Sequence, residues 1–184
     1  MKYLGIDPGS KKCGWAVVDL DRKIVVKHGH DDLNEMRNII QGYVYSIDGI
    51  VIEMLMMYKI SNPNDVLPTA YTIGRLQEMA HDAFKEMNAN GVNHKVEMLE
   101  FTRPEVIFRL TGRWPGRAHR VSKAELQEIV KNLLGLEKVC RPQHANDAVA
   151  LILAHTMPVP AIISKKKSNV KTNSKQRKSK GKKP

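Results

Sequence analysis

Four side chains, Asp7, Glu53, His144 and Asp147, have the ligand chemistry of a divalent-metal site able to hydrolyse the phosphate backbone of nucleic acid. Asp7 stands immediately before PGS, where a tight turn frees a carboxylate from the end of a strand. Glu53 closes the apolar run GIVI, and an acid at the end of a buried strand is costly unless it is paired or bound to metal. His144 and Asp147, in HAND, lie at i and i+3 and therefore share one face of the helix that starts there. Each has an ordinary reading too: a turn-starting Asp, a salt-bridged Glu, a capping His, an Asp answering a helix dipole. Their conjunction is what counts. Carboxylates plus an imidazole suit a pair of Mg²⁺ ions, the His also tolerating Mn²⁺, and two such ions can stabilise the attacking and leaving oxygens of an in-line displacement. Clustered acids repel, so without metal at least one should hold its proton more tightly than usual.

These residues need a scaffold that brings strand ends and a helix start to one place. KYLGID, GWAVVDL and KIVVKH read as three short strands whose brief connections favour an antiparallel meander. Apolar positions at helical spacing from about Leu33 to Tyr45 predict a helix crossing over to GIVIEM, a strand parallel to the first. If so, Asp7 and Glu53 emerge at the same sheet edge. Asn62, Pro63, Asn64 and Pro68 predict a break before a long helix from about Thr69 to Met87. HKVEMLEF follows as a fifth strand, RPEVIFRLTG as a short helix, and SKAELQEIVKNLLGL as a helix opened by Ser122 with Glu125 at the capping-box position. A last helix runs from about Ala145 to His155. The order predicts an α/β fold, a five-stranded mixed sheet with three antiparallel strands and then parallel ones, flanked by helices.

The formal net charge is +11, yet ten of the thirty Lys and Arg residues lie between Lys165 and Pro184, a stretch with no acid; twenty bases and nineteen acids remain elsewhere. The division expected is a folded unit over 1–157 and a Lys-rich, disordered basic tail over 158–184, which cannot bury enough apolar surface to offset its ordering entropy. Lys165, Lys166 and Lys167 open that tail as candidates for non-specific phosphate binding by counterion release. In GRWPGRAHR, Arg113, Arg117 and Arg120 surround Trp114, a composition suited to phosphate contacts with one aromatic anchor, or to a solvated loop with the Trp tucked onto the sheet. Cys13 and Cys140 stand far apart with no metal spacing, so neither a disulfide framework nor structural zinc is expected. No signal-like or membrane-length apolar run is present, and a soluble, cytoplasmic, DNA-associated protein without membrane or small-molecule partners is the expectation.

The segments YLGIDPGSKKCGWAVVD, VIEM, EVIFRLTGRWPGRAHRVSKAELQEIVKNLLGL and HANDAVALILAH, in that order, resemble the RuvC-type Holliday-junction resolvases of the RNase H-like superfamily. The resemblance spans about Met1 to His155. It implies that Asp7, Glu53 and Asp147 are the catalytic acids and His144 a fourth metal position that is Asp in many members. It also implies that Lys123 helps to stabilise the cleaved phosphate. Another family lysine, after the fifth strand, is not reproduced: Ile107 lies nearest, with Arg103 and Arg109 as candidate substitutes. Members wedge open the junction centre with an apolar side chain after the catalytic Glu. Met56 aligns with it, Met57 and Tyr58 stand beside it, and Tyr58 is a candidate base-stacking residue, though a Met cluster also suits a core.

The function expected is metal-dependent resolution of four-way DNA junctions by paired phosphodiester hydrolysis, with water as nucleophile. The homodimer this implies would form through the long helix at about Thr69 to Met87. Action on other branched DNA, such as forks or flaps, is an alternative within the fold. From other classes come a non-catalytic basic DNA-binding protein, which the intact acid set opposes, and an actin-like ATPase or sugar kinase. The last needs two related halves, and the chain has one Asp-x-Gly segment and no repeat.

Overall fold

The computed structural model describes residues 1–56, 63–92, 94–115, 121–138 and 140–158. Three strands, β1 (Lys2–Asp7), β2 (Cys13–Asp19) and β3 (Ile24–Asp31), form an antiparallel meander. Helix α1 (Leu33–Tyr43), prolonged by a 3-10 turn at Val44–Ser46, leads to β4 (Gly49–Met54), which pairs parallel to β1. Helix α2 (Pro63–Ala89) then leads to β5 (Glu97–Thr102), parallel to β4, and α3 (Arg103–Thr111), α4 (Lys123–Leu134) and α5 (Gln143–Thr156) follow. The sheet order is β3-β2-β1-β4-β5, the mixed five-stranded sheet expected.

Alternation along the strands gives the sheet two different faces. Leu4, Ile6, Trp15, Val17, Ile50 and Ile52 point to one, where Met36 and Ile40 of α1 and Leu76, Ala80 and Ala83 of α2 cover them. The other carries Tyr3, Ala16, Val18 and Val51 against α5, whose residues Ala145 to Ala154 are all buried. Helix α5 can lie this close because two of its contact points are glycines. A Cβ on Gly5 would stand 2.2 Å from the Ala148 carbonyl oxygen, and one on Gly14 2.3 Å from the His144 carbonyl carbon.

Three boundaries differ from expectation. Helix α2 begins at Pro63 and runs through Pro68, rather than starting near Thr69. Proline is tolerated at a helix start, and although Pro68 lacks an N–H, its carbonyl still accepts a bond from the Thr72 hydroxyl at 3.0 Å. The fifth strand starts at Glu97, not His94, whose Nε2 instead donates to the Ile47 carbonyl at 2.7 Å. Helix α1 tightens to a 3-10 turn two residues before the predicted end. Among the described residues no helix is long and apolar enough to cross a membrane.

Candidate active site

Asp7 is the last residue of β1, and Glu53 follows Ile52, the partner of Ile6, on the parallel strand β4. Both carboxylates therefore leave the sheet at the same edge and on the α5 face. The third parallel strand, β5, ends at Thr102, and the next residue is Arg103. A reciprocal cap fixes where α3 starts: the Thr102 N–H donates to Glu105 Oε2 at 2.7 Å, and the Thr102 hydroxyl takes part in the same box. Across the meander, Asp7 pairs with Gly14 and Gly14 with His30, a single rung over which the first turn of α5 is laid.

Asp7, His144 and Asp147 each offer one ligand atom within 4.8 Å of the other two. The His144 Nδ1–H donates to Asp7 Oδ2 at 2.7 Å, and the His30 ring stacks on His144 at 5.0 Å and 15°. Asp147 is buried and paired with Arg103 at 3.0 Å, and the same guanidinium lies 3.8 Å from Glu53 Oε2. Glu53 stands beside the compact trio rather than inside it. Its Oε2 is fully enclosed, without a hydrogen-bond partner among the described residues.

The electrostatics follow from that enclosure. Burial first, and then the Asp7 carboxylate, push Glu53 up to about 8, with Arg103 only partly compensating. Burial likewise raises Asp147 against the opposing pull of Arg103. The hydrogen bond to Asp7 raises His144, whereas burial and the neighbouring His144 lower His30. On Arg103, burial opposes the charge, but Asp147 and Glu53 outweigh it and hold the guanidinium protonated more firmly than usual. Glu53 is thus the acid that holds its proton most firmly, through burial first and the Asp7 charge second.

Lys123 opens α4, capped by Ser122, whose hydroxyl accepts the Glu125 N–H at 3.1 Å, and its charge is felt at His144 and Asp147. Of the two candidate substitutes for the missing lysine, Arg109 stacks over the Phe101 ring at 4.6 Å, while Arg103 reaches the acids. Trp114 stacks on Phe108 of α3 at 4.7 Å and 10°, not on the sheet, and keeps 51% of its surface exposed; Arg113 beside it is exposed. Met56 is partly buried just beyond β4. Met57, Tyr58, Arg117, Arg120, Lys165, Lys166 and Lys167 lie outside the described residues.

Arg103, expected only as a substitute for the missing lysine, and His30, not among the sequence expectations, complete this edge. Arg103 is discoverable by counting strand ends, because three adjacent parallel strands deliver their C-terminal residues to one edge. His30 is discoverable only once the hairpin register sets it opposite Gly14.

A five-stranded mixed sheet with acids at adjacent strand ends and on the covering helix is the RNase H-like nuclease fold. The solved Thermus thermophilus RuvC in complex with Holliday junction substrate shares it, with a TM-score of 0.64 at 18% identity, over 84% of this chain and 92% of that one. Residues 3–155 match the family described as crossover junction endodeoxyribonuclease RuvC. Relatives of that name include one from Wolinella succinogenes, 30% identical over 173 residues covering 86% of this chain and 96% of its own. Another, from Campylobacter jejuni, is 28% identical over 168 residues covering 84% and 94%. The chain belongs to the RuvC family of crossover junction endodeoxyribonucleases.

Proposed function

We propose that this endonuclease resolves four-way DNA junctions by paired hydrolysis of phosphodiester bonds at the edge formed by Asp7, Glu53, His144 and Asp147. The observation that carries the site assignment is the enclosed Glu53 Oε2, an acid oxygen without a donor among the described residues, beside three further ligand groups. A carboxylate kept in that position at a cost fits a divalent cation that neutralises it on arrival. Asp7, Glu53 and Asp147 would be the oxygen donors for two Mg²⁺ ions, and His144 would be the fourth ligand, which extends the site to Mn²⁺. When bound, such ions polarise the phosphate and stabilise the attacking and leaving oxygens of an in-line displacement by water.

The chain's own groups prepare the edge. Arg103 holds Asp147 and faces Glu53, limiting their repulsion. Asp7 fixes the His144 ring by accepting its Nδ1–H, and a ring nitrogen of His144 would have to be free of its proton to ligate a metal. Lys123, exposed at the start of α4, supplies positive charge for the cleaved phosphate. Met56, which follows β4, is the junction wedge, with Met57 and Tyr58 next to it in sequence. Arg113, Trp114, Arg117 and Arg120 provide backbone contacts, the Phe108-backed Trp114 ring offering an exposed stacking surface. The nuclease unit is 1–157, and the basic segment 158–184 adds sequence-independent affinity through Lys165, Lys166, Lys167 and the bases that follow.

Paired cuts call for two sites related by a two-fold axis. Helix α2 offers a surface for that pairing: Leu67 and Tyr71, at i and i+4, are 70% and 65% exposed. Incubating full-length protein with a four-way junction, a fork and linear duplex, with Mg²⁺ or EDTA, tests the reading. Symmetric nicks in the junction that require metal are expected; equal cutting of all three substrates would overturn junction selectivity.

A further inference from the structure

Beyond the acids, the α5 side of the sheet continues into a second concave surface. A cleft of about 630 Å³ lies beside the edge strand β3, lined by His28, Glu128, Lys131, Lys138 and Arg141. Among the described residues, the side chains that line it are all charged or imidazole. Lys131, Lys138 and Arg141 contribute three fixed positive charges against one carboxylate, Glu128, which lies 4.0 Å from Lys131.

Both walls lead there from the catalytic edge. On β3, His30 stacks on His144 and His28 follows two residues back on the same face, about 7 Å along the strand. On α4, Lys123 lies near the acids and Lys131 is eight residues further along the helix, about 12 Å of axial rise. The cleft is thus a few nucleotides from the reacting centre, since B-form backbone advances about 3.4 Å per nucleotide on each strand. It also lies toward the β3 end of the sheet, whereas Met56 follows β4 on the other side of β1. A strand entering at the wedge and crossing the acids would pass next over this basic surface.

We infer that the cleft formed by His28, Lys131, Lys138 and Arg141 is a phosphate-binding subsite for the DNA arm flanking the cut. The inference rests on the junction-resolving reading above and adds a path for the substrate outside the catalytic edge. Such contacts act through charge, so they set affinity and salt dependence rather than sequence preference.

The test is equilibrium binding of a fluorescent four-way junction in EDTA, across a salt series, by full-length wild type and the triple variant Lys131→Gln, Lys138→Gln, Arg141→Gln. The expected result is a log–log salt slope shallower by about two to three, near 0.9 for each phosphate no longer neutralised, with affinity at least about tenfold weaker at low salt. A second triple, Lys23→Gln, Lys85→Gln, Lys95→Gln, removes the same charge from exposed positions elsewhere and should leave the slope close to wild type. An unchanged slope in the first triple, or an equal fall in both, overturns the subsite. Failure of the wild type to bind or cut the junction would instead sink the functional reading, so the two failures are separable.

Discussion

The two faces of the sheet come from the same strands, alternating residue by residue, yet they do opposite things. The α1/α2 face is built from large apolar side chains, with Leu4, Ile6, Ile50 and Ile52 fully buried. The α5 face gives up side-chain volume at Gly5, Gly14, Ala16 and Ala148, and so brings a helix start against strand ends. One face stabilises by bulk. The other uses closeness to gather charges that repel.

The largest contrast should come from two substitutions three residues apart on β1. Asp7→Asn should abolish metal-dependent cleavage, by about a thousandfold or more, while junction binding and thermal stability hold. Leu4→Ala, which empties a fully buried site on the other face, should cost about 2–5 kcal/mol of stability while the folded fraction still cuts. Cleavage kinetics and denaturant melts on both variants read this out. Unaltered cutting by Asp7→Asn would remove it from the site.

Next in size is the close approach itself. A methyl at Gly14 meets backbone, not a flexible side-chain tip, so Gly14→Ala must displace the start of α5. About 1–3 kcal/mol of stability and roughly a hundredfold in turnover should be lost, since His144 and Asp147 ride on that turn. Gly42→Ala, within α1 with open space around it, should instead be neutral or stabilising by up to about 1 kcal/mol. If the two alanines behave alike in melts and in turnover, close packing is not what positions the helix.

This contrast also explains what the sequence discloses. Strand, crossover and amphipathic-helix patterns are legible because they are local, and Asp7, Glu53, His144 and Asp147 stand out because metal-ligand side chains fall together at two strand ends and one helix start. The start of α2 is misleading since Pro68 argues locally for a break that the helix absorbs. The Glu53–Arg103 approach and the His30–His144 stack are hidden because each joins residues far apart in the chain, and only register and the glycine-permitted approach of α5 bring them together.

Charge on the α5 face should appear as a pH-dependent stability cost. Glu53 is raised to about 8 in the folded protein, so the folded state keeps a proton that the unfolded chain releases near its ordinary value. Stability from this group is therefore unaffected below about pH 4.5 and falls as pH rises toward 8, by an amount on the order of 2–5 kcal/mol. Asp147, also raised, acts in the same direction. Glu53→Gln should raise the melting temperature of metal-free protein at pH 8 and have little effect near pH 4.5. Mg²⁺ should stabilise the wild type increasingly with pH and the variant far less. A variant no more stable than wild type at pH 8 would contradict the enclosed, only partly compensated carboxylate.

The smallest effect tests whether the α5 face uses packing for precision as well as proximity. His30 stacks on the His144 ring while Asp7 accepts the Nδ1–H of that ring, so the imidazole is confined by both a ring face and a hydrogen bond. An aromatic contact of this kind is worth about 0.5–1.5 kcal/mol, so His30→Ala should weaken apparent Mn²⁺ affinity by about twofold to tenfold. His30→Phe should restore it, because the ring remains. The two differ in pH response as well: burial and His144 lower His30, so its contribution to stability is present above the unfolded value of about 6.5 and is lost as pH falls through the lower folded value. His30→Phe should lack that acid-side loss while keeping the metal affinity. Calorimetric Mn²⁺ titrations and melts at pH 5.5 and 7.5 separate these outcomes, and equal affinities for alanine and phenylalanine would show that the stack does not position His144.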